Sequence, residues 1–249
     1  MKRIFALALA LCMMFALVSC GSEEVAEAEG GTLVMGTNAA FPPYEFMEGN
    51  EIVGIDAEIA AAIAEKLGMN LEIKNMEFDS LIPAVSTGSV DIVLAGMTVT
   101  EERKASVNFT DSYAKGVQVV IVKEGSEIVS IDDLSGKLIG VQTGTTGDIY
   151  CTGDFGEEAI KRFDNGALAV QALINGQIDC VVIDNEPAKS FVAAQAGLVI
   201  LETAYAEEDY AAAMNKNDTE LLEKVNNALV ELKAEGKIDE IVGKYIKAE

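Results

Sequence analysis

The 249-residue chain contains no histidine and no tryptophan. Without histidine, a histidine-based catalytic triad and the usual zinc sites are excluded. Positive charge is scarce: 18 lysines and arginines face 41 aspartates and glutamates, a formal net charge of −23. Such an excess argues against nucleic acid or any other polyanion as a partner and keeps the body off an anionic bilayer. Cysteine is nearly absent too. Of four, Cys12 and Cys20 lie at the N-terminus, so only Cys151 and Cys180 remain for the body. Two cysteines outside the cytoplasm could pair, but nothing in the sequence places them within bonding distance, and their redox state stays open. No glycine-rich phosphate loop of the Walker type occurs, so the chain does not itself hydrolyse ATP. No metal or other cofactor is expected.

What the chain does have begins at its N-terminus. Lys2 and Arg3 precede an apolar run, Ile4–Val18, closed by the small residue Ser19. A basic start, an apolar stretch and a small-residue exit make a secretory signal over residues 1–19. The run is too short for a permanent span, which needs about 20 apolar residues. Leu17-Val18-Ser19-Cys20, followed by Gly21-Ser22, resembles a bacterial lipobox. That resemblance implies a diacylglycerol on the Cys20 sulfur, cleavage before it, and a chain anchored at the outer face of the cell membrane or in the periplasm. Residues 20–31 carry Glu23, Glu24, Glu27 and Glu29 among small residues and read as a flexible, self-repelling tether.

From Thr32 the pattern alternates strands and helices. Leu33–Thr37 reads as a buried strand, followed by a loop, Asn38–Phe46, whose backbone Pro42 and Pro43 constrain. Asp56 is placed to cap a helix over 57–67 with Ile59, Ile63 and Leu67 on one face, and Gly68 to end it. Strands at 71–73 and 91–95 enclose a short helix over 81–86, an order that implies parallel pairing through right-handed crossovers. A long apolar strand, Gly116–Val122, opens a second α/β set. It comprises a strand at 138–141, a helix opened by Gly144–Asp148, a helix over 167–174, a strand at 180–183 ending on Asp184, and a strand at 198–201. One of the two cysteines then falls in a helix and the other in a strand. Tyr210–Met214 reads as a strand, and two helices close the chain, the first capped near Asp218 and stopped at Gly236.

Ligands of open α/β sheets bind beyond the carboxyl ends of strands. Four segments lie there: Asn38–Phe46, Ala95–Arg103, Gln142–Thr146 and Asp184–Glu186. They come from both halves of the chain, which predicts a cleft between two lobes. Arg103 can meet a carboxylate with two parallel hydrogen bonds. Asp184 follows an apolar strand, where a carboxylate needs a cationic partner or serves as a turn or cap residue.

These segments carry a resemblance to the polar amino-acid-binding proteins of ABC uptake systems, extracytoplasmic solute-binding family 3. Gly36-Thr37-Asn38-Ala39-Ala40-Phe41-Pro42-Pro43-Tyr44-Glu45-Phe46 resembles the first ligand loop, and Gly54-Ile55-Asp56-Ala57-Glu58-Ile59 the signature helix start, with Ala57 in place of a larger aliphatic residue. Leu94-Ala95-Gly96-Met97-Thr98-Val99-Thr100-Glu101-Glu102-Arg103 is the strongest match, followed by Asn108-Phe109-Thr110-Asp111. Gly144-Thr145-Thr146 and Val182-Ile183-Asp184 match motifs of the second lobe.

The resemblance, which covers residues 32–247, implies an α/β, two-lobed periplasmic-binding-protein-like fold. Each lobe would be a mostly parallel sheet flanked by helices, with a two-strand hinge. Lobe 1 is expected at 32–117 plus 210–249, and lobe 2 at 118–209. It implies a free polar amino acid as ligand, held by Asn38, Phe41, Tyr44, Phe78, Ala95, Gly96, Met97, Thr98, Arg103, Gln142, Thr145, Thr146 and Asp184. Arg103, backbone N–H groups near Gly96 and Thr98, the Thr98 hydroxyl and the N–H groups of Thr145 and Thr146 would take the carboxylate. Asp184 would take the ammonium. Phe41 and Phe78 would wall the side chain, and Tyr44 is divided between pocket wall and loop packing. Asn38 and Gln142, both neutral amides, stand where side-chain recognition is tuned. That is compatible with glutamine, arginine, histidine or another polar amino acid. Glu45 could add negative charge or lie on the surface. The implied role is a monomeric, lipid-anchored binder, not an enzyme, that delivers its ligand to an ABC permease in the membrane. A sensor module, or a dehydratase-like enzyme on the same scaffold using Glu45 as general acid, is the alternative.

Overall fold

The computed structural model describes residues 30–202 and 204–247. The signal at 1–19, Cys20 and the tether as far as residue 29 lie outside the described residues. The body opens with β1 (Thr32–Thr37) and a small antiparallel sheet of β2 (Ala40–Phe41), β3 (Glu45–Glu48) and β4 (Glu51–Val53). Then follow α1 (Ile55–Lys66), β5 (Asn70–Asn75), α2 (Phe78–Ser86), β6 (Ile92–Val93), α3 (Glu101–Ser106) and β7 (Val107–Phe109). The chain crosses on β8 (Ala114–Lys123) into β9 (Ile139–Gln142), α4 (Thr146–Phe155), β10 (Ile160–Phe163), α5 (Gly166–Ile174), β11 (Cys180–Asp184), α6 (Asn185–Ala194) and β12 (Leu198–Ile200). It returns on β13 (Ala206–Tyr210) to β14 (Ala213–Asn215), α7 (Thr219–Ala234) and α8 (Lys237–Tyr245).

Two main sheets result. The first has strand order β5-β1-β6-β14-β7, and the second β10-β9-β11-β8-β12 with β13 also paired to β8. The strands joined by helical crossovers are parallel: β1 with β5 and β6, β9 with β10 and β11. The strands that carry the chain between lobes enter antiparallel. β8 and β13 pair from Ala114↔Tyr210 to Gln118↔Ala206, and this two-strand ladder is the crossing.

Period-two alternation explains the second lobe. Along β8, Val119 and Ile121 face one core while Val120 and Val122 face another. Along β11, Val181 and Ile183 join the first of these cores, and Cys180 and Val182 the second. The first lobe packs Ile55, Ile59 and Ile63 of α1 with Val225, Leu229 and Leu232 of α7 beneath its sheet. Each such aliphatic side chain contributes about 1.5–3 kcal/mol on burial. The opposite face is covered by Phe78, Leu81 and Val85 of α2.

Several local expectations are corrected. Asp56 does not cap α1. Gly54, at φ 125°, stands at the cap position, and Asp56 lies in the first turn with its carboxylate turned into the core. The helix predicted over 81–86 begins three residues earlier, at Phe78, and accommodates Pro83. The run 210–214 is not one strand. It breaks at Ala211–Ala212, so that β13 serves the second sheet and β14 the first. The capping of α7 by Asp218 is as expected, with its side chain accepting from the Leu221 N–H. No helix among the described residues is long and apolar enough to cross a membrane.

Candidate functional site

The carboxyl ends of β1, β6, β9 and β11 meet at one cleft. Asn38, Phe41, Phe78, Ala95, Gly96, Thr98, Arg103, Gln142, Thr145, Thr146 and Asp184 all line it. The other two expected residues go elsewhere. Tyr44 is buried, packed between the Phe41 ring (centroids 5.9 Å apart) and the Tyr210 ring (5.3 Å). Met97 turns into the core with Phe78 and Leu81.

Arg103 stands one turn into α3, whose N-cap Thr100 accepts a hydrogen bond from the Arg103 N–H. Its guanidinium lies 5.3 Å from the Phe78 ring centroid, a cation–π arrangement. One nitrogen donates to the Thr98 carbonyl at 2.7 Å, and the other terminal nitrogen to the Gly144 carbonyl, 3.1 Å away on the second lobe. A guanidinium has five donors, so three stay available to a carboxylate. Burial lowers the Arg103 pKa, and the nearby Glu208 carboxylate opposes this.

A second bond also crosses the cleft. Gln142 donates to Asn38 Oδ1 at 2.9 Å and to the Asp164 carbonyl at 3.1 Å, while Asn38 donates to the Met76 carbonyl. The structure is therefore that of a closed cleft. With both amide hydrogens committed, Gln142 can only accept from a ligand.

Three expected donors are engaged. The Gly96 N–H donates to Asp56 at 2.8 Å, and the Thr98 hydroxyl to Glu208 at 3.0 Å. Gly96 must be glycine: its φ is +51°, and a Cβ there would stand 2.8 Å from the Phe41 ring. At Thr145 the N–H and the hydroxyl both turn back to the Gln142 carbonyl. Thr146 opens α4, where the first N–H groups have no partner within the helix.

Asp184 is 2% exposed and both lines the cleft and caps α6. Its two oxygens accept from the N–H groups of Val117 (2.7 Å) and Glu186 (3.2 Å). Burial pushes its pKa up to about 6, against the pull of hydrogen bonds from Tyr210 and those two N–H groups.

Glu45, Gln118, Val182, Ile183 and Tyr210 complete the lining. Glu45 is not on the surface; it is 1% exposed. Gln118, the lone amide in an apolar strand, donates to the same Glu208 oxygen that receives the Thr98 hydroxyl. A polar residue inside an apolar run was the signal that could have marked it. Tyr210 packs against Gly116, where a Cβ would meet its ring at 2.5 Å, and nothing in the sequence announces that contact. Among the described residues no group of three or more histidine, cysteine, aspartate or glutamate side chains could hold a metal ion.

The chain is similar throughout its length to the arginine-binding extracellular protein ArtP of Bacillus subtilis, with 35% identity over all of both chains. It is 33% identical to a probable histidine-binding protein of Neisseria gonorrhoeae, over all of this chain and 97% of that one. An ancestral arginine-binding protein solved with glutamine bound superposes with a TM-score of 0.83 at 43% identity, over 88% of this chain and 99% of the other. These relatives are named as binding proteins, and residues 33–248 match a family of extracytoplasmic binders rather than enzymes. The chain belongs to the bacterial extracellular solute-binding proteins, family 3.

Proposed function

We propose that this protein captures a free polar L-amino acid by cleft closure and delivers it to an ABC permease. The observation that carries the reading is the pairing of Arg103, with three spare donors, and the buried carboxylate Asp184 in one closed cleft. An amino acid presents the complementary carboxylate and ammonium. Arg103 holds the first with the start of α4, and Asp184 the second. Phe41 and Phe78 flank the side chain. Gln142 faces it as an acceptor, which favours a side chain that donates, such as an amide, imidazole or guanidinium, and disfavours a second carboxylate. Arginine, histidine and glutamine, for which three relatives are named, are of the donating class, whereas L-cystine, for which another is named, carries a second carboxylate.

Lobe 1 comprises residues 32–117 and 210–249 and lobe 2 residues 118–209, moving about the β8–β13 crossing. The ligand favours the closed form because it contacts both lobes only there. Cys20 carries the lipid that keeps the monomeric body at the outer membrane face, so Cys20→Ala should release it to the soluble fraction.

The test is calorimetric titration of residues 31–249, refolded to remove carried-over ligand, with each of the twenty amino acids. One or a few donor-bearing amino acids should bind, and Arg103→Ala and Asp184→Ala should each abolish it. Binding of none, or undiminished binding by both variants, would remove the reading.

A further inference from the structure

Beneath the cleft, two carboxyl groups face each other with no cation between them. Glu45 comes from β3 and is almost fully buried; Asp56 comes from α1 and is wholly so. Asp56 Oδ2 accepts two hydrogen bonds, from the Gly96 N–H at 2.8 Å and the Tyr113 hydroxyl at 2.7 Å. Asp56 Oδ1 and both Glu45 oxygens receive nothing from any N–H or hydroxyl. The two side chains are nevertheless within hydrogen-bonding reach of each other. Ionised carboxylates only accept, so two of them cannot satisfy one another. A proton between them satisfies both.

The surroundings decide which carboxyl holds it. The groups around the pair are Asp56 and Tyr113 from the core side, Asp184 from the second lobe and Tyr44 from the adjoining loop. The charges acting on Glu45 are both negative, those of Asp56 and Asp184. Asp56 is better provided, with two donors on Oδ2. The ionised member is therefore Asp56, and the neutral acid is Glu45.

We propose that Glu45 is a protonated positioning residue: it donates its acid hydrogen to Asp56 Oδ1, and Asp56 in turn holds the Gly96 N–H and so the ligand-facing turn 95–98. This rests on the amino-acid reading only for its effect on binding; the protonation itself does not. Glu45 then adds no charge to the cleft, and the ammonium subsite is left to Asp184.

Three measurements test it. In wild-type protein with carbon-13 in the glutamate carboxyls, one glutamate should keep the chemical shift of a neutral acid at pH 7. If every glutamate titrates in the ordinary carboxylate range, the proposal fails, whatever the variants do. For stability the sign is definite. Burial beside Asp56 holds the Glu45 pKa well above its ordinary value. Its contribution is full below about pH 4.5 and declines as pH rises towards the folded value. Glu45→Gln, which donates without ionising, should gain in melting temperature on wild type progressively from pH 4.5 to 8. A pH-independent difference overturns the proposal.

Finally, Glu45→Gln should keep ligand affinity within about twofold and leave the Gly96 amide resonance in place, whereas Glu45→Ala should weaken binding about tenfold and shift that resonance. Equal loss in both variants would mean an ionised Glu45 that pairs with the ligand's cation instead. If no amino acid binds wild type, the carbon-13 and stability measurements still judge Glu45, and it is the binding reading alone that falls.

Discussion

Gln142 reaches across the cleft to donate to Asn38 Oδ1 at 2.9 Å, joining the end of one lobe's sheet to the loop of the other. The bond links the two lobes directly through their side chains. Converting Asn38 to aspartate keeps the acceptor and adds a negative charge at the side-chain end. Asn38→Asp should therefore raise the preference for arginine over glutamine by about tenfold or more, the scale of one partly buried ion pair. Competition titration with the two ligands measures it. An unchanged ratio would mean that the ligand side chain does not reach this pair.

Asp184 sets a pH dependence. Its folded pKa, about 6, lies above the ordinary aspartate value of 3.8. In the ligand-free protein, stability from this group is full below about pH 3.8 and is lost as pH rises through 6, because the folded state holds the proton longer. Ligand binding has the opposite sign, since an ammonium pairs with the ionised form. Affinity should fall about tenfold from pH 7 to pH 5, where most Asp184 is protonated. Asp184→Asn should bind weakly and lose this dependence. Dissociation constants at the two pH values decide it, and a flat profile in wild type would remove Asp184 from the ammonium site.

The order of strands and helices was legible because apolar runs, glycine stops and polar loops recur at regular spacing, as at Cys180–Asp184 or Gly68. The ligand segments were legible because strand ends converge in such sheets. What escaped were long-range commitments of polar groups. Asp56 reads as a helix cap, yet it lies in the first turn and its partners are Gly96 and Tyr113, 40 and 57 residues away. Thr98 seemed a free donor until Glu208, 110 residues on, took its hydrogen. The split of 210–214 escaped because both halves are apolar; only the two sheets they join distinguish them.

Gly96 carries a steric prediction. A methyl group there would press on Phe41 at 2.8 Å and Tyr210 at 3.3 Å, at a φ of +51° that L-residues rarely adopt. Gly96→Ala should lower stability by about 2 kcal/mol or more and push Phe41 out of the cleft. Denaturant unfolding gives the first quantity and ligand titration the second. Loss of binding with stability unchanged would mean that the turn shifts as a whole, with Phe41 left in place.

The cysteines offer the last test. Cys151 and Cys180 are free thiols, both fully buried in one core of the second lobe. Burial pushes the pKa of each up to about 12, and the thiolate is the reactive form. Neither should react with a thiol reagent at pH 8 in the folded protein, and both should react after unfolding in guanidinium. Bound ligand should slow the reaction further wherever it proceeds through global opening, because ligand lowers the unfolded population. Fast labelling of folded protein would reveal local opening of β11 or α4. Failure to label even when unfolded without reductant would mean that the pair had been oxidised to a disulfide.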